Sequence, residues 1–433
     1  MTPVFIAIFL LGLSSLATAA NFNTVYEWPK GLDYELPSEA NRTQALRDDT
    51  LKASDSDLYF EDSPVTQTTP TTTTFSQKPK PTPLQVARSM TPFCIAIFLL
   101  CHSSLATAAN FTQVYEWPNN WDLDWPSEAK WAIMDGSYYR FITEPLFMAV
   151  YGSRIFFMLV PNEAIPVGLV SLPTSSASAA PPKITPFPSW DVHEYEICNH
   201  IESPKGLEVD SVGQLWVLDV GSKKCNSKIW TIDLNNNDCA EIIHQFSFYG
   251  ELHELVLDET PNETFAYISR QYEQNIVVFS LERNESWTVV TPGIDVLSLA
   301  LSPKDQEPRQ LYLGQWNSTE LYSIPVDVLR SGTRTANPKL IGNWSARPYR
   351  MLIDEHGTMY TAFLKKNFIH SWNSSQPFLE QQFFEVDGLD TYYPFTIALD
   401  QNGTLWMTVF DYERKPRYRL FKAAVGEPSF EDS

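Results

Sequence analysis

Few side chains in this sequence carry chemistry at a useful spacing. Glu251, His253 and Glu254 fall within four residues, and Glu144, Asp295 and Arg350 sit beside other apolar runs in comparable places. The carboxylates and His253 are hard or borderline metal ligands. Carboxylates at loop tips are ordinarily solvated, however, so no metal is expected. In a proton transfer, His253 or Glu251 would be the base and Arg350 would pair with a substrate carboxylate. The plainer role for Arg350 is a surface ion pair. His193, His200 and His244 have no ligand partner at helical or hairpin spacing and read as ordinary surface or core histidines. There is no Gly-x-Ser-x-Gly, no Cys/His pairing that sequence could specify and no Gly-rich phosphate loop. No cofactor is expected.

Such groups need a frame, and the frame is repetitive. Residues 130–433 lack any long stretch of helical periodicity. Instead a short apolar strand, a polar turn and a second strand heavy in aromatic and β-branched residues recur. The hairpins span 146–160, 206–220, 255–269, 297–316, 350–364 and 395–410. Turn residues Asp210, Asp258, Ser302, Asp354 and Asp400 are 48, 44, 52 and 46 apart. A third strand follows at 228–234, 275–281, 320–326 and 368–373. A strand-built repeat of this length predicts an all-β fold, a six-bladed β-propeller over 110–433. Loops leading into the inner strands would then ring one mouth of a central channel. Those rim segments are 144–146, 204–206, 251–254, 295–297, 348–350 and 392–396. Trp216, Phe363 and Trp406 lie in second strands, where core packing accounts for them.

Composition narrows the partners. The 433 residues hold 52 acidic and 31 basic side chains, a formal charge of −21. Nucleic acid is thereby disfavoured, because phosphate contacts need clustered Lys and Arg. A soluble surface, or a cationic ligand drawn in by long-range attraction, fits better. With 43% hydrophobic and 13% aromatic residues the chain is neither disordered nor collagen-like, and 5 cysteines exclude a small disulfide-stapled module.

The sequence also has two beginnings. Met1 opens an apolar run ending in Ala17-Thr18-Ala19, which reads as a secretory signal over 1–19. Met90 opens nearly the same text, and a shift of 89 carries Met1 onto Met90 and Asn21 onto Asn110. The match continues through VYEWP and PSEA, while Phe60-Glu61-Asp62-Ser63 repeats the terminal FEDS. Residues 20–63 are therefore expected to be a partial duplicate of the chain ends left by a gene fusion. Residues 64–89 would be a Thr/Pro-rich linker and 90–109 a second signal-like segment. The alternative is a genuine tandem protein with a hydrophobic hairpin or anchor near residue 100. The apolar run 93–105 falls short of the roughly 20 residues a bilayer requires, so no membrane attachment is expected in the mature form. Sequons at Asn110, Asn262, Asn284, Asn317, Asn343, Asn373 and Asn402, with another at Asn41, support secretion to the extracellular space.

Across about 115–422 the residues resemble the insect yellow / major royal jelly protein family. VYEWP with a following WPS, RIFFMLVP (154–161, with Asn162 replacing an Arg) and ITPFPSW (184–190) carry the resemblance at the front. GQLWVLDVG (213–221), NGTLWMTVF (402–410) and RYRLFK (417–422) carry it further on. It implies a secreted, glycosylated six-bladed propeller acting as a monomer. Members differ in activity: some resemble dopachrome-converting proteins of the melanin pathway, others act in cuticle pigmentation, salivary members bind amines, and royal jelly members are largely nutritional. The implied partner is a small aromatic amine or catechol-derived ligand in the channel, with no catalysis. The rivals are a dopachrome tautomerase and a structural or storage glycoprotein.

Carried over from the amine binders, the ligand contacts fall at Phe395, Phe410 and Tyr412, which keeps an aromatic wall and loses two polar contacts. Yellow-like members imply a Cys198–Cys225 disulfide with Cys239 free, Cys225–Cys239 being the runner-up. Val212, Pro261 and Ser371 stand where the salivary members' other disulfides would need cysteines. Cys94 and Cys101 belong to the second signal.

Overall fold

Each apolar hairpin becomes the inner half of a four-stranded antiparallel sheet in the computed structural model. The structure describes residues 111–118, 121–125, 144–160, 167–176, 180–193, 196–385, 392–411, 415 and 417–425, without the side chains of 392–395. The two signal-like segments, the partial duplicate, the linker, Cys94, Cys101, Asn41, Asn110 and Tyr412 lie outside the described residues.

Six sheets form six blades. Blade I holds Pro145–Tyr151, Arg154–Leu159, Leu169–Pro173 and Thr185–Pro186; blade II holds Pro204–Val209, Gln214–Asp219, Lys228–Asp233 and Cys239–Gln245. Blade III holds Leu252–Glu259, Thr264–Arg270, Asn275–Ser280 and Glu285–Val290; blade IV holds Val296–Leu301, Gln310–Gln315, Glu320–Pro325 and Lys339–Asn343. Blade V holds Pro348–Ile353, Thr358–Phe363, Phe368–Asn373 and Gln381–Glu385. Blade VI takes Tyr392–Leu399, Thr404–Asp411 and Tyr418–Ala424 from the end of the chain and its outer strand, Thr112–Trp117, from 300 residues earlier. In that closing pair Trp117 stands opposite Tyr418 and Glu116 opposite Arg419. Trp121 packs its ring 4.5 Å from Trp117 and 4.6 Å from Tyr418. The VYEWP segment thus shuts the ring, and a closed ring leaves its sheets only short edges. Consecutive inner strands are neighbours all the way round, blade VI against blade I included.

The recurrent turn aspartates explain why the hairpins form where they do. Asp210 accepts the amides of Val212 and Gln214 at 3.1 and 2.8 Å and the Trp216 indole N–H at 2.9 Å. Asp400 repeats this with Asn402, Thr404 and Trp406 at 2.9, 3.0 and 2.9 Å. Asp354 does so with His356, Thr358 and the Tyr360 hydroxyl at 3.0, 2.8 and 3.0 Å. One carboxylate therefore satisfies the turn backbone and anchors the aromatic ring two residues into the next strand.

At the opposite end of the inner strands each blade carries a β-bulge. The register slips between Pro145 and Phe147, Lys205 and Leu207, Leu252 and Leu255, Val296 and Ser298, Pro348 and Arg350, and Pro394 and Thr396. A bulge bends its strand and re-aims the next side chain. Six at one level build a ring of displaced residues around the channel mouth. At Gly206 (φ 63°) the bulge needs glycine, since a Cβ would stand 3.0 Å from the Leu255 nitrogen.

Candidate functional site

The mouth at which the inner strands begin is here the upper mouth, and the end beside the aspartate turns is the lower one. Blades I, III and V are not neighbours in the ring, so their side chains can meet only across the channel. They do meet. Arg350 of blade V pairs through its Nη1 with a carboxylate oxygen of Glu254 from blade III, both side chains buried. The guanidinium carbon of Arg350 lies 4.4 Å over the Phe147 ring of blade I. Phe147 meets His253 of blade III edge to face at 5.2 Å, and His253 meets Tyr349 of blade V at 6.1 Å. Blade IV joins through its backbone, the Leu299 N–H donating to Glu254 Oε2 at 2.9 Å. Ser269 supports the bulge from behind: its hydroxyl accepts from the Glu254 N–H at 3.1 Å and donates to the Leu297 carbonyl at 2.8 Å.

Burial sets the charge states. His253 is held down to about 3 by burial, with Lys205 and Arg350 adding to the effect and a hydrogen bond to the Leu297 backbone opposing it. It is therefore a neutral imidazole at physiological pH. Burial also lowers Arg350, to about 10, against the opposing charge of Glu208. Glu144 is pushed up to about 7 by burial, with Lys365 opposing. Burial likewise raises Tyr349, with help from the Glu144 charge, and lowers Lys205 against the pull of Glu251. Two buried polar atoms here have no hydrogen-bond partner, His253 Nδ1 and Arg350 Nε.

The rim residues read from sequence fall into several fates. Glu251 is exposed at the mouth and acts electrostatically on Lys205. His253 and Arg350 are buried in the cross-channel cluster. The surface ion pair expected for Arg350 is instead an internal one, because the bulge turns its side chain inward onto Glu254. Among the described residues no three His, Cys, Asp or Glu side chains converge as metal ligands.

Phe395 is the extra residue of the blade VI bulge, so its backbone belongs to the ring that holds Tyr349. Phe410 is wholly buried in the core between blades VI and I, its ring stacked on Tyr418 at 4.9 Å. Phe147, Tyr349 and Lys205 were not singled out from sequence, although Tyr349 and Lys205 lie inside predicted rim segments.

Cys198 and Cys225 form a disulfide with Cα atoms 5.1 Å apart, and Cys239 is a free, exposed thiol. Asn262, Asn284, Asn317, Asn343, Asn373 and Asn402 are all exposed. Among the described residues no helix is long and apolar enough to cross a membrane.

A closed ring of six sheets whose alternate blades meet across the channel defines a six-bladed β-propeller. The chain belongs to the yellow / major royal jelly protein family: the model of the major royal jelly protein family matches residues 202–296 and 290–409. It is 23% identical to protein yellow of Drosophila guanche over 78% of this chain and 67% of the relative. With protein yellow of Drosophila melanogaster it is 23% identical over 69% of this chain and 63% of the relative. The chain thus spans about two thirds of the length of these relatives, and for several slightly less. Among solved structures it is similar to a gluconolactonase from Xanthomonas campestris, with TM-score 0.45 and 12% identity over 74% of this chain and 93% of that one. It is also similar to virginiamycin B lyase from Staphylococcus aureus, with TM-score 0.39 and 12% identity over 66% and 85%.

Proposed function

We propose that this is a secreted, glycosylated protein that holds a small aromatic amine or catechol-derived ligand at the upper mouth of its channel, without catalysing its conversion, in a pigment or salivary setting. One observation carries the reading: the Phe147, His253 and Tyr349 rings, from alternate blades, meet one another across the channel, and the Glu144 charge acts on Tyr349. Flat rings stack or meet edge to face with such a wall, and a carboxylate there complements an ammonium or a catechol hydroxyl. Phe395, on the same bulge ring, is assigned to the ligand together with Phe410 and Tyr412, the positions carried over from the amine binders. Secretion rests on the signal-like segments, the exposed sequons and the family.

A dopachrome tautomerase is the second reading, favoured by the unpartnered Nδ1 of His253 beside Arg350. Its weakness is chemical. A base held near 3 is a poor match for proton abstraction at neutral pH, and Arg350 is already committed to Glu254.

Isothermal titration of the secreted protein with serotonin, dopamine and histamine tests the choice. Micromolar binding that Tyr349→Ala and Phe395→Ala each weaken supports capture at the upper mouth. No heat from any amine, together with accelerated dopachrome decay that His253→Gln abolishes, would replace it with the enzyme.

A further inference from the structure

Below the cross-channel cluster lies a separate chamber. Residues of all six inner strands line a half-open cavity of about 890 Å³, a volume suited to a small organic ligand. Arg350 and Glu254 are among its lining residues, as are the exposed turn residues Lys304, Asp305, Glu355 and Gln401 at the lower mouth. Between them runs a collar of half-buried apolar side chains that includes Val256, Leu257, Leu301, Ile353 and Leu399.

Most charges around this chamber are already engaged. Arg350 holds Glu254, Arg309 holds Asp258, and Lys304 holds Glu259 at 3.1 Å. Asp354 and Asp400 accept the amides of their own turns. Glu208, in the inner strand of blade II, differs. It lines the chamber, and among the described residues its carboxylate has neither a hydrogen bond nor an ion pair. Burial pushes it up to about 7, with Arg350 of blade V opposing and Glu259 of blade III adding to the rise.

We propose that the lower chamber is a second binding site, for an organic cation that carries an ammonium group on an apolar body, with Glu208 as its counter-ion. A neutral apolar ligand would bury Glu208 without a partner, which costs free energy. An anion would meet Glu208 and Glu259 in a chain of charge −21. A cation satisfies Glu208, while its apolar part covers the collar and displaces water. The site stands apart from the upper mouth, because Tyr349, His253 and Phe147 lie outside its lining.

The test titrates the full-length secreted protein at pH 8 with benzyltrimethylammonium, using benzyl alcohol as the uncharged control. The cation is expected to bind, and Glu208→Gln to weaken it at least about tenfold, as loss of a buried counter-ion does. Tyr349→Ala is expected to leave the Glu208-dependent part of the binding unchanged. Lowering the pH from 8 to 6 protonates Glu208 and weakens binding in the wild type but not in Glu208→Gln. Leu301→Trp, which fills the collar and keeps the charge, should also block the site, so the conclusion does not hang on one variant's folding. Equal affinity in Glu208→Gln, or binding lost in Tyr349→Ala alone, would overturn the proposal. The second result would place the cation at the upper mouth.

Discussion

Arg350 and Glu254 form an ion pair although blade IV stands between the blades that carry them. Two buried charges from non-neighbouring blades fix the ring's diameter, because neither can move outward without stranding the other. Breaking one partner of such a pair costs about 3–5 kcal/mol, whereas replacing both with apolar groups can be nearly neutral. Glu254→Gln should therefore lower the urea-unfolding free energy by that amount, and Glu254→Leu with Arg350→Met should recover part of it, short by the cost of the buried Leu299 N–H that loses its acceptor. A double variant as unstable as the single one would show that the pair's charge, not its packing, holds the channel.

The turn aspartates are the second determinant of stability. Asp210→Ala removes three accepted hydrogen bonds at once and leaves the buried Trp216 N–H without a partner. With a net value near 1 kcal/mol per hydrogen bond and more for a stranded buried donor, the loss should be about 2–4 kcal/mol. Trp216→Phe gives up only the last of these bonds and should cost less, provided the ring position stays filled. Thermal unfolding of the two variants side by side checks the order.

Those turns also show what the sequence could reveal. Asp210, Asp354 and Asp400 stand six residues before Trp216, Tyr360 and Trp406, a local pattern that any reader of hairpins can count, and six hairpins gave six blades. The bonds from aspartate to ring were less visible, so Trp216 and Trp406 read as plain core. The site was harder still. A bulge is one extra residue in the register between two strands, and nothing in Pro348-Tyr349-Arg350 announces it. Without the bulge, alternation alone cannot say that Arg350 turns inward onto Glu254, or that Phe147 of one blade meets His253 of another. Phe410 shows the same limit: its type suits a ligand wall, and only the structure shows that its ring is buried against Tyr418.

His253 should make stability pH-dependent in a defined direction. Its value falls from the ordinary 6.5 to about 3 in the folded chain. Between those limits the unfolded chain binds more protons than the folded one, so stability rises with pH. The contribution is complete above 6.5 and is lost as the pH drops toward 3. Glu144 and Glu208, both raised to about 7, act oppositely over about 4.5 to 7. His253→Phe keeps a ring against Phe147 and cannot titrate. Wild type minus variant, from urea midpoints at pH 4.5, 5.5, 6.5 and 7.5, isolates the histidine and should climb with pH. A flat difference would mean that His253 is solvated and its cluster open.

The Cys198–Cys225 bridge closes 27 residues, and a loop of that size contributes roughly 3–4 kcal/mol in the chain-entropy model. The two ends of that loop are tied a second time. Lys228, fully buried, reaches Glu202 at 2.7 Å and Asp219 at 3.3 Å. Asp219 in turn accepts the amides of Glu202, Ser203 and Gly221. The Cys198→Ser, Cys225→Ser double variant should therefore melt at lower temperature yet keep its native near-ultraviolet dichroism at 25 °C. Lys228→Met, which strands two carboxylates in the core, should damage that signal even with the disulfide intact. A non-reducing digest of the wild type should yield the 198–225 cross-linked peptide and an alkylated Cys239. A cross-link from Cys225 to Cys239 would instead leave residues 196–203 held by the Lys228 cluster and their backbone contacts without a covalent tie, and the double variant would then lose little.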